Sequence, residues 1–119
     1  MVEIVWEFIL KEGSQGRFEL AYGPGGMWSK LFGKSQGFRG TTVLRDANNP
    51  QRYLTIDLWD SEVQRNQALV EHQAEYDEVA TTFKEWTESK NEIGTFSVLA
   101  QATVRPHAKA GKSKKRGRR

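Results

Sequence analysis

Residues 52–61 read Arg-Tyr-Leu-Thr-Ile-Asp-Leu-Trp-Asp-Ser, and this stretch decides the predicted fold. Leucine or isoleucine stands at every second position from 54 to 58, which is typical of a β-strand with one buried face. Ser61 and Gln64 then form a capping box, so we expect a helix to begin directly after the strand. The helix is predicted to reach about Lys90 and to bend midway, because a single helix of that length is unusual in a small domain. Its buried stripe contains a histidine and a tyrosine, which indicates a pocket: Leu69, His72, Tyr76, Val79, Ala80 and Phe83.

The remaining elements give the order β-α-β-β-α-β. This order predicts an α+β, ferredoxin-like βαββαβ fold, with a four-stranded antiparallel sheet and two helices on one face. A turn by composition joins the second and third strands into a hairpin. The predicted strands are 2–10, 38–45, 52–59 and 95–102, the turn is 46–50, and the first helix is 15–35, broken by Gly-Pro-Gly-Gly at 23–26.

The strand phases also predict which face of the sheet the helices cover. We expect the even-numbered residues from Val2 to Leu10 to face the helices, together with Leu54, Ile56 and Leu58. Phe96 and Val98 are predicted on the same side. The opposite face would then be mixed and charged, suited to water or to a second copy of the chain. Its predicted members are Glu3, Glu7, Arg39, Arg45, Tyr53, Thr55, Asp57, Trp59, Thr95 and Ser97.

The charge of the chain is divided between a domain and a tail. Residues 105–119 contain 8 of the 18 Lys and Arg residues and no Asp or Glu, so this segment carries +8 while residues 1–104 carry −5. We expect residues 1–104 to form one domain, which is enough chain for a core. Residues 105–119 are predicted to be a disordered basic tail, with nonspecific nucleic-acid contact as a candidate role.

Composition limits the chemistry that is available. The chain has no cysteine, so disulfides and thiolate metal sites are excluded. Only His72 and His107 are histidines and no metal-binding spacing exists, so no metal site is expected. The opening run MVEIVWEFILKEG carries Glu3 and Glu7 and predicts a strand rather than a signal peptide. No stretch is long and apolar enough to span a membrane, so a cytoplasmic protein is expected.

The sequence resembles the antibiotic biosynthesis monooxygenase (ABM) family of dimeric α/β barrels. The resemblance covers about residues 2–100. It implies a homodimer in which two ferredoxin-like units pair their open sheet faces. It also implies a cavity between sheet and helices in which the protein oxidises a phenolic substrate with O₂, without metal or flavin. The residues that carry it are Ile4 to Phe8 (IVWEF), Gly37-Phe38 with Gly40-Thr41, and Tyr53-Leu54, Trp59-Asp60-Ser61 and His72.

An oxygenase without a cofactor needs a base in a dry aromatic pocket, because the deprotonated substrate must itself donate an electron to oxygen. We predict that His72 deprotonates or polarises a phenol and that Tyr76 orients it. Trp59 is expected at the dimer interface because its phase places it on the opposite face. The predicted substrate-binding residues are Tyr22, Trp28, Phe32, Trp6 and Phe8.

Other functions match parts of this pattern. Haem cleavage is disfavoured, because the haem-degrading branch of the group has an asparagine on the first strand and this strand has none. The RNA-recognition fold has the same element order, but residues 52–59 contain no RNP1-like run, and Glu3, Glu7 and Asp57 would repel phosphates. A non-catalytic dimeric barrel that binds a small molecule stays open as an alternative.

Overall fold

The computed structural model describes residues 1–100, so the predicted tail at 105–119 lies outside the described residues. Its four strands form one antiparallel sheet, in which the second, third, first and fourth strands of the chain lie side by side in that order, with the helices on one face. The predicted α+β, ferredoxin-like fold is confirmed. No helix within residues 1–100 is long and apolar enough to cross a membrane. The elements are β1 (Val2–Leu10), α1 (Gln15–Tyr22), α2 (Met27–Phe32), β2 (Phe38–Asp46), β3 (Asn49–Trp59), α3 (Glu62–Glu71), α4 (Gln73–Trp86) and β4 (Thr87–Ser97).

The long helix begins as predicted but ends earlier. The Ser61 hydroxyl accepts a hydrogen bond from the Gln64 backbone N–H at 3.2 Å and caps α3. The predicted bend falls at His72, which ends α3 and begins α4. The expectation that the helix reaches Lys90 is wrong, because residues from Thr87 onward pair with β1 as part of β4. Residues 87–92 are all polar and give no alternation, so backbone pairing rather than sequence pattern makes them a strand.

The covered face of the sheet carries the odd-numbered residues of β3, which corrects the predicted strand phase. Residues directly opposite each other on antiparallel strands share a face. Ile4 lies opposite Asp57, and Phe8 lies opposite Tyr53. Both Ile4 and Phe8 are buried beneath the helices, so the covered face of β3 consists of Tyr53, Thr55, Asp57 and Trp59, all at most 5% exposed.

The face without helices, called here the open face, is therefore more apolar than predicted. Leu54, Ile56 and Leu58 lie opposite Glu7, Val5 and Glu3 on this face. On β4 the predicted phase is also wrong, because Phe96 lies opposite Glu3 and is 49% exposed on the open face. The predicted positions of Glu3 and Glu7 are confirmed. Arg45 and Thr95, by contrast, lie opposite the covered residues Tyr53 and Ile4.

A β-bulge in β2 changes which of its side chains lie on the covered face of the sheet. The register of β2 against β3 shifts between Phe38 and Gly40, with Arg39 as the extra residue. Gly40 has φ +129°, a conformation that residues with a Cβ rarely adopt. The shift places both Phe38 and Thr41 on the covered face, opposite Trp59 and Asp57. The two buried clusters beneath the helices are Phe8, Leu10, Phe18, Ala21, Tyr53 and Phe83, and Ile4, Leu31, Phe32, Trp59 and Ala68.

Candidate functional site

A narrow cavity lies between the covered face of the sheet and the helices. It leaves about 20 Å³ for the centre of a water molecule, which is room for about one water. Its walls are aromatic, and its polar groups come from β3, β4 and two tyrosines. The lining residues are Trp6, Phe8, Tyr22, Trp28, Thr55, Asp57, Tyr76, Val79, Ala80, Phe83 and Lys90.

Asp57 is the one carboxyl group among these lining residues, and a chain of hydrogen bonds fixes it. The Trp28 indole N–H donates to the Thr41 hydroxyl oxygen at 3.2 Å. Because an indole nitrogen can only donate, the hydroxyl proton of Thr41 remains free for another acceptor. Thr41 donates it to Asp57 Oδ1 at 2.6 Å. This bond orients the carboxyl group, and no Lys or Arg nitrogen within residues 1–100 lies within 4.0 Å of it.

Burial raises the pKa of Asp57 from 3.8 to about 6, because the charged carboxylate is poorly solvated in the cavity. The hydrogen bond from Thr41 opposes this rise, as do the positive charges of Arg65 and Lys90. The group therefore changes its protonation near neutral pH. A buried carboxyl with such a pKa can accept a proton from a bound molecule and release it again.

The two tyrosines of the cavity remain neutral. Burial raises the pKa of Tyr22 well above its usual value, and the negative charge of Asp57 raises it further. Burial also raises the pKa of Tyr76, while the nearby positive charge of Arg65 lowers it. Both hydroxyl groups therefore stay protonated at pH 7 and can donate hydrogen bonds to an oxygen atom of a ligand.

A second small space adjoins the cavity next to Arg65. It leaves about 10 Å³ for the centre of a water molecule. Arg65 Nη1 lies 3.4 Å from Asn66 Oδ1, and Arg65 has no carboxylate within 4.0 Å among the described residues. A guanidinium charge therefore borders the same carboxyl group that faces the cavity. The residues that line both spaces are Trp6, Trp28, Asp57 and Tyr76.

The structure brings most of the predicted site residues together. Tyr76 and four of the five predicted substrate-binding residues line the cavity: Trp6, Phe8, Tyr22 and Trp28. Phe32 lines the smaller space next to Arg65 and is 2% exposed. Trp59 lines that smaller space too, since the predicted phase of β3 was wrong. The roles assigned to these residues stay predictions.

His72 lies apart from the cavity. It occupies the joint between α3 and α4, with φ −114° and ψ 30°, and so leaves the helical stripe to which the sequence assigned it. Its side chain is 34% exposed, and its Nδ1 lies 3.2 Å from Glu75 Oε1. His72 lines neither of the two spaces around Asp57. The catalytic role predicted for His72 therefore has no support from a contact between its side chain and the cavity.

Sequence reasoning missed Asp57, Thr55, Thr41 and Lys90 as site residues. Asp57 and Thr55 were assigned to the open face, because Leu54, Ile56 and Leu58 offer a more hydrophobic alternative. The signal that could have found them is aromatic: Tyr53 and Trp59 share their phase, and large aromatic side chains commonly dominate a core. Lys90 was missed because it was placed at the end of a helix.

Possible metal ligands do not gather anywhere in residues 1–100. No group of three or more His, Asp or Glu side chains in that part of the chain is arranged to hold a metal ion. The polar groups around Asp57 are instead hydroxyl, ammonium and guanidinium groups.

Solved structures with the same fold include an oxygenase and proteins proposed to be antibiotic biosynthesis monooxygenases. SnoaB, a cofactor-independent oxygenase from Streptomyces nogalater, is 22% identical with a TM-score of 0.65, over 87% of this chain and 95% of that one. A protein from Bordetella bronchiseptica proposed as an antibiotic biosynthesis monooxygenase is 14% identical with a TM-score of 0.65, over 83% and 97% of the two chains. One from Nitrosomonas europaea is 13% identical with a TM-score of 0.64, over 84% and 100%.

The described fold is thus that of the ABM-type antibiotic biosynthesis monooxygenases, as the sequence resemblance implied. No model of a protein family matches the sequence, and no curated protein matches it either.

Proposed function

We propose that the protein is a cofactor-independent monooxygenase that oxidises a small phenolic or similarly acidic aromatic substrate with O₂. Asp57 is the observation that carries the proposal. It is a buried carboxyl group with a pKa of about 6, set in a cavity whose other walls are aromatic. Aromatic walls suit a ring, and a base of this strength suits removal of a proton from an acidic O–H or activated C–H. The shared fold of SnoaB, itself a cofactor-independent oxygenase, supports the same chemistry.

The reaction balances without an external reductant. Asp57 removes a proton from the substrate, and the resulting anion passes one electron to O₂. The substrate radical and superoxide then combine through a new C–O bond. The peroxide anion takes back the proton held by Asp57. Loss of the second proton from the same carbon then breaks the O–O bond, so one oxygen atom remains on carbon as a carbonyl and the other leaves as hydroxide, which that proton converts to water. A CH₂ group, which in a phenol is that of the keto tautomer, thereby becomes C=O, so the substrate supplies all four electrons and O₂ accepts them.

Each group around the cavity has a distinct role in this scheme. Asp57 accepts the proton, and Thr41 holds its carboxyl in place through the 2.6 Å hydrogen bond. Tyr22 and Tyr76 donate hydrogen bonds to the oxygen atom on which negative charge develops, which stabilises the anion. The positive charge of Arg65 borders the same region and favours superoxide over neutral O₂. His72 is replaced by Asp57 as the proposed base.

Substrate entry requires side chains at the edge of the cavity to move, because the space of about 20 Å³ is smaller than an aromatic ring. A wider groove of about 580 Å³ lies outside, between α4 and β4. Groove and cavity meet at Phe8, Ala80, Phe83 and Lys90. Of these four residues only Lys90 is exposed, so it is the one most easily displaced by an entering ring.

The proposal includes a homodimer formed through the open face. Leu54, Ile56 and Leu58 form an apolar centre, and Glu7 pairs with Arg52 at 2.7 Å beside it. Leu44 and Phe96, at 45% and 49% exposed, extend the apolar surface to the outer strands. An apolar centre with a polar edge is the usual composition of a dimer interface. A twin subunit would cover this surface.

Oxygen uptake with a panel of anthrones, quinols and other easily oxidised phenols tests the proposed function. We expect at least one compound to be oxidised, with a rate that rises as the pH passes about 6 and Asp57 ionises. Asp57→Asn should lower kcat at least about 100-fold. Asp77→Asn, a matched change at an exposed carboxyl on α4, should leave kcat unchanged.

Two results would contradict the proposal. One is full activity in Asp57→Asn, which would remove Asp57 as the base. The other is tight binding of panel compounds without any oxygen uptake, which would favour the non-catalytic small-molecule-binding protein.

A further inference from the structure

Lys90 places a positive charge at the edge of the cavity. It lies opposite Phe8 on the covered face of the sheet. Its Nζ is 4.4 Å from the centre of the Trp6 ring and 5.7 Å from that of Phe8. Contact with aromatic faces attracts an ammonium group and holds it against the cavity wall. Lys90 is therefore directed toward the site rather than away into solvent.

The ammonium group of Lys90 has no acidic partner among residues 1–100. No carboxylate oxygen in this part of the chain lies within 4.0 Å of its Nζ. Residues 101–119 contain no Asp or Glu. Partial burial lowers the pKa of Lys90, while the charges of Asp57 and Glu92 raise it. A partly desolvated cation without a close partner is ready to bind an anion.

Lys90 also marks the boundary between the cavity and the outer groove, since it lines both. The groove contains charges of both signs, from Lys84, Asp77 and Glu88, but none of these three reaches the cavity. A ligand whose ring enters the cavity would therefore leave its outer end beside Lys90. Its inner end would lie near Asp57, where a second negative charge is unfavourable.

We propose that Lys90 selects aromatic substrates that carry a carboxylate or similar acid group, and binds that group at the mouth of the cavity while the ring lies inside. The inference rests on the proposed function, because it assumes that the ring occupies the space around Asp57. It adds that the substrate is an anion, such as a hydroxyarene carboxylate, with its acid group directed outward. The acid group and the acidic O–H or C–H then lie at opposite ends of the ligand.

Arg65 is the other cation near Asp57, and it is less suited to this role. The space next to it leaves only about 10 Å³ for the centre of a water molecule and shares no lining residue with the outer groove, so a substituent beside Arg65 has no wider space to extend into. It also borders the inner region of the site and is walled by Trp59 and Leu69. Of the two cations, only Lys90 lines both the cavity and a groove with room for a substituent.

Calorimetric binding under nitrogen tests this inference, because no turnover is needed. The probes are 3-hydroxy-2-naphthoate and 2-naphthol, which share a ring system and differ in one carboxylate. We expect the unmodified protein to bind the acid at least about tenfold more tightly, as is usual for a charge-assisted hydrogen bond. Lys90→Met should remove this preference and leave the affinity for 2-naphthol unchanged. Lys90→Arg should keep it.

Lys84→Met is the matched control, since Lys84 lines the groove but not the cavity. An equal loss of preference in Lys84→Met and Lys90→Met would overturn the assignment and leave the proposed function standing. A preference for the acid that survives in Lys90→Met would overturn it too. If Asp57→Asn loses oxygen uptake while the Lys90 pattern holds, both proposals stand. If neither naphthalene binds to any variant while a panel compound is oxidised, this inference fails and the proposed function stands; if neither binds and no panel compound is oxidised, both fail.

Discussion

The two faces of the sheet shift the pKa of a carboxyl group in opposite directions. On the covered face, Asp57 has no cation from residues 1–100 within 4.0 Å, and burial raises its pKa to about 6. On the open face, Glu7 accepts a hydrogen bond from Arg52 at 2.7 Å, and this bond lowers the pKa of Glu7. Pairing keeps Glu7 charged at neutral pH, whereas burial without a pair makes Asp57 a base near neutral pH.

The comparison also separates the two proposed uses of the sheet. Aromatic side chains fill the covered face: Tyr53 and Trp59 are 1% and 2% exposed. They cannot stack on nucleic-acid bases from beneath the helices. Aliphatic side chains dominate the open face, and of its carboxylates on the central strand β1, Glu7 is paired with Arg52. We expect substitutions on one face to affect chemistry and substitutions on the other to affect assembly.

The largest expected effect is on assembly. Ile56→Glu places a charge at the centre of the open face, beside Val5 and near Glu3 and Glu7. An unpaired charge buried in an apolar interface costs about 3 kcal/mol or more, so dimer dissociation should become easier by at least about 100-fold. Sedimentation at micromolar concentration should show a dimer for the unmodified protein and a monomer for the variant.

Val70→Glu is the control for this experiment, because Val70 is 76% exposed on α3. It should remain a dimer. Circular dichroism of both variants verifies that each one is folded. A monomeric unmodified protein would refute the proposed pairing through the open face.

The next effect is on stability, and it depends on pH. A buried Asp57 with a pKa near 6 rather than 3.8 favours the folded state at low pH, and this contribution is lost as pH rises through about 6. The shift corresponds to about 3 kcal/mol at most. Asp57→Asn does not titrate, so its free energy of unfolding relative to the unmodified protein should rise by up to about 3 kcal/mol between pH 4 and pH 8.

Urea unfolding at pH 4, 6 and 8 measures this difference, with the protein concentration held constant because a dimer's stability depends on it. Asp77→Asn provides the comparison with an exposed carboxyl. The same substitution that lowers kcat should thus be more favourable to the fold at pH 8 than at pH 4. A difference that is constant from pH 4 to pH 8 would show that Asp57 is not destabilised by burial.

The sequence could predict the local features of the fold but not those that depend on pairing between distant segments. The element order, the cap at Ser61 and the break after Tyr22 are local features, and the structure confirms them. The faces of β3 are not local. Leu54, Ile56 and Leu58 are as apolar as Tyr53 and Trp59, so alternation alone gives two answers. The pairing with β1 decides between them, and it depends on contacts between distant segments.

The site residues divide in the same way, into those that local sequence predicts and those that depend on long-range pairing. Trp6, Phe8, Tyr22, Trp28 and Tyr76 were predicted because they are aromatic and lie on elements whose faces were correctly assigned. Predicting Asp57 as a site residue depends on knowing which face of β3 the helices cover. Predicting Thr41 depends on knowing that β2 has a bulge at Gly40. Lys90 required the end of α4 at Trp86, which pairing between β4 and β1 determines.

The smallest expected effect concerns His72, which lies on neither face of the sheet. His72→Ala should change the free energy of unfolding by less than about 0.5 kcal/mol, because a partly exposed side chain with one surface partner contributes little. It should change kcat/KM less than about twofold, since the ring does not line the cavity. Glu75→Gln removes the partner of His72 and serves as the matched control. A tenfold fall in kcat for His72→Ala alone, with ligand binding retained, would mean that His72 turns inward during the reaction. The histidine would then replace Asp57 as the base, and the covered face would hold the substrate without providing the proton acceptor.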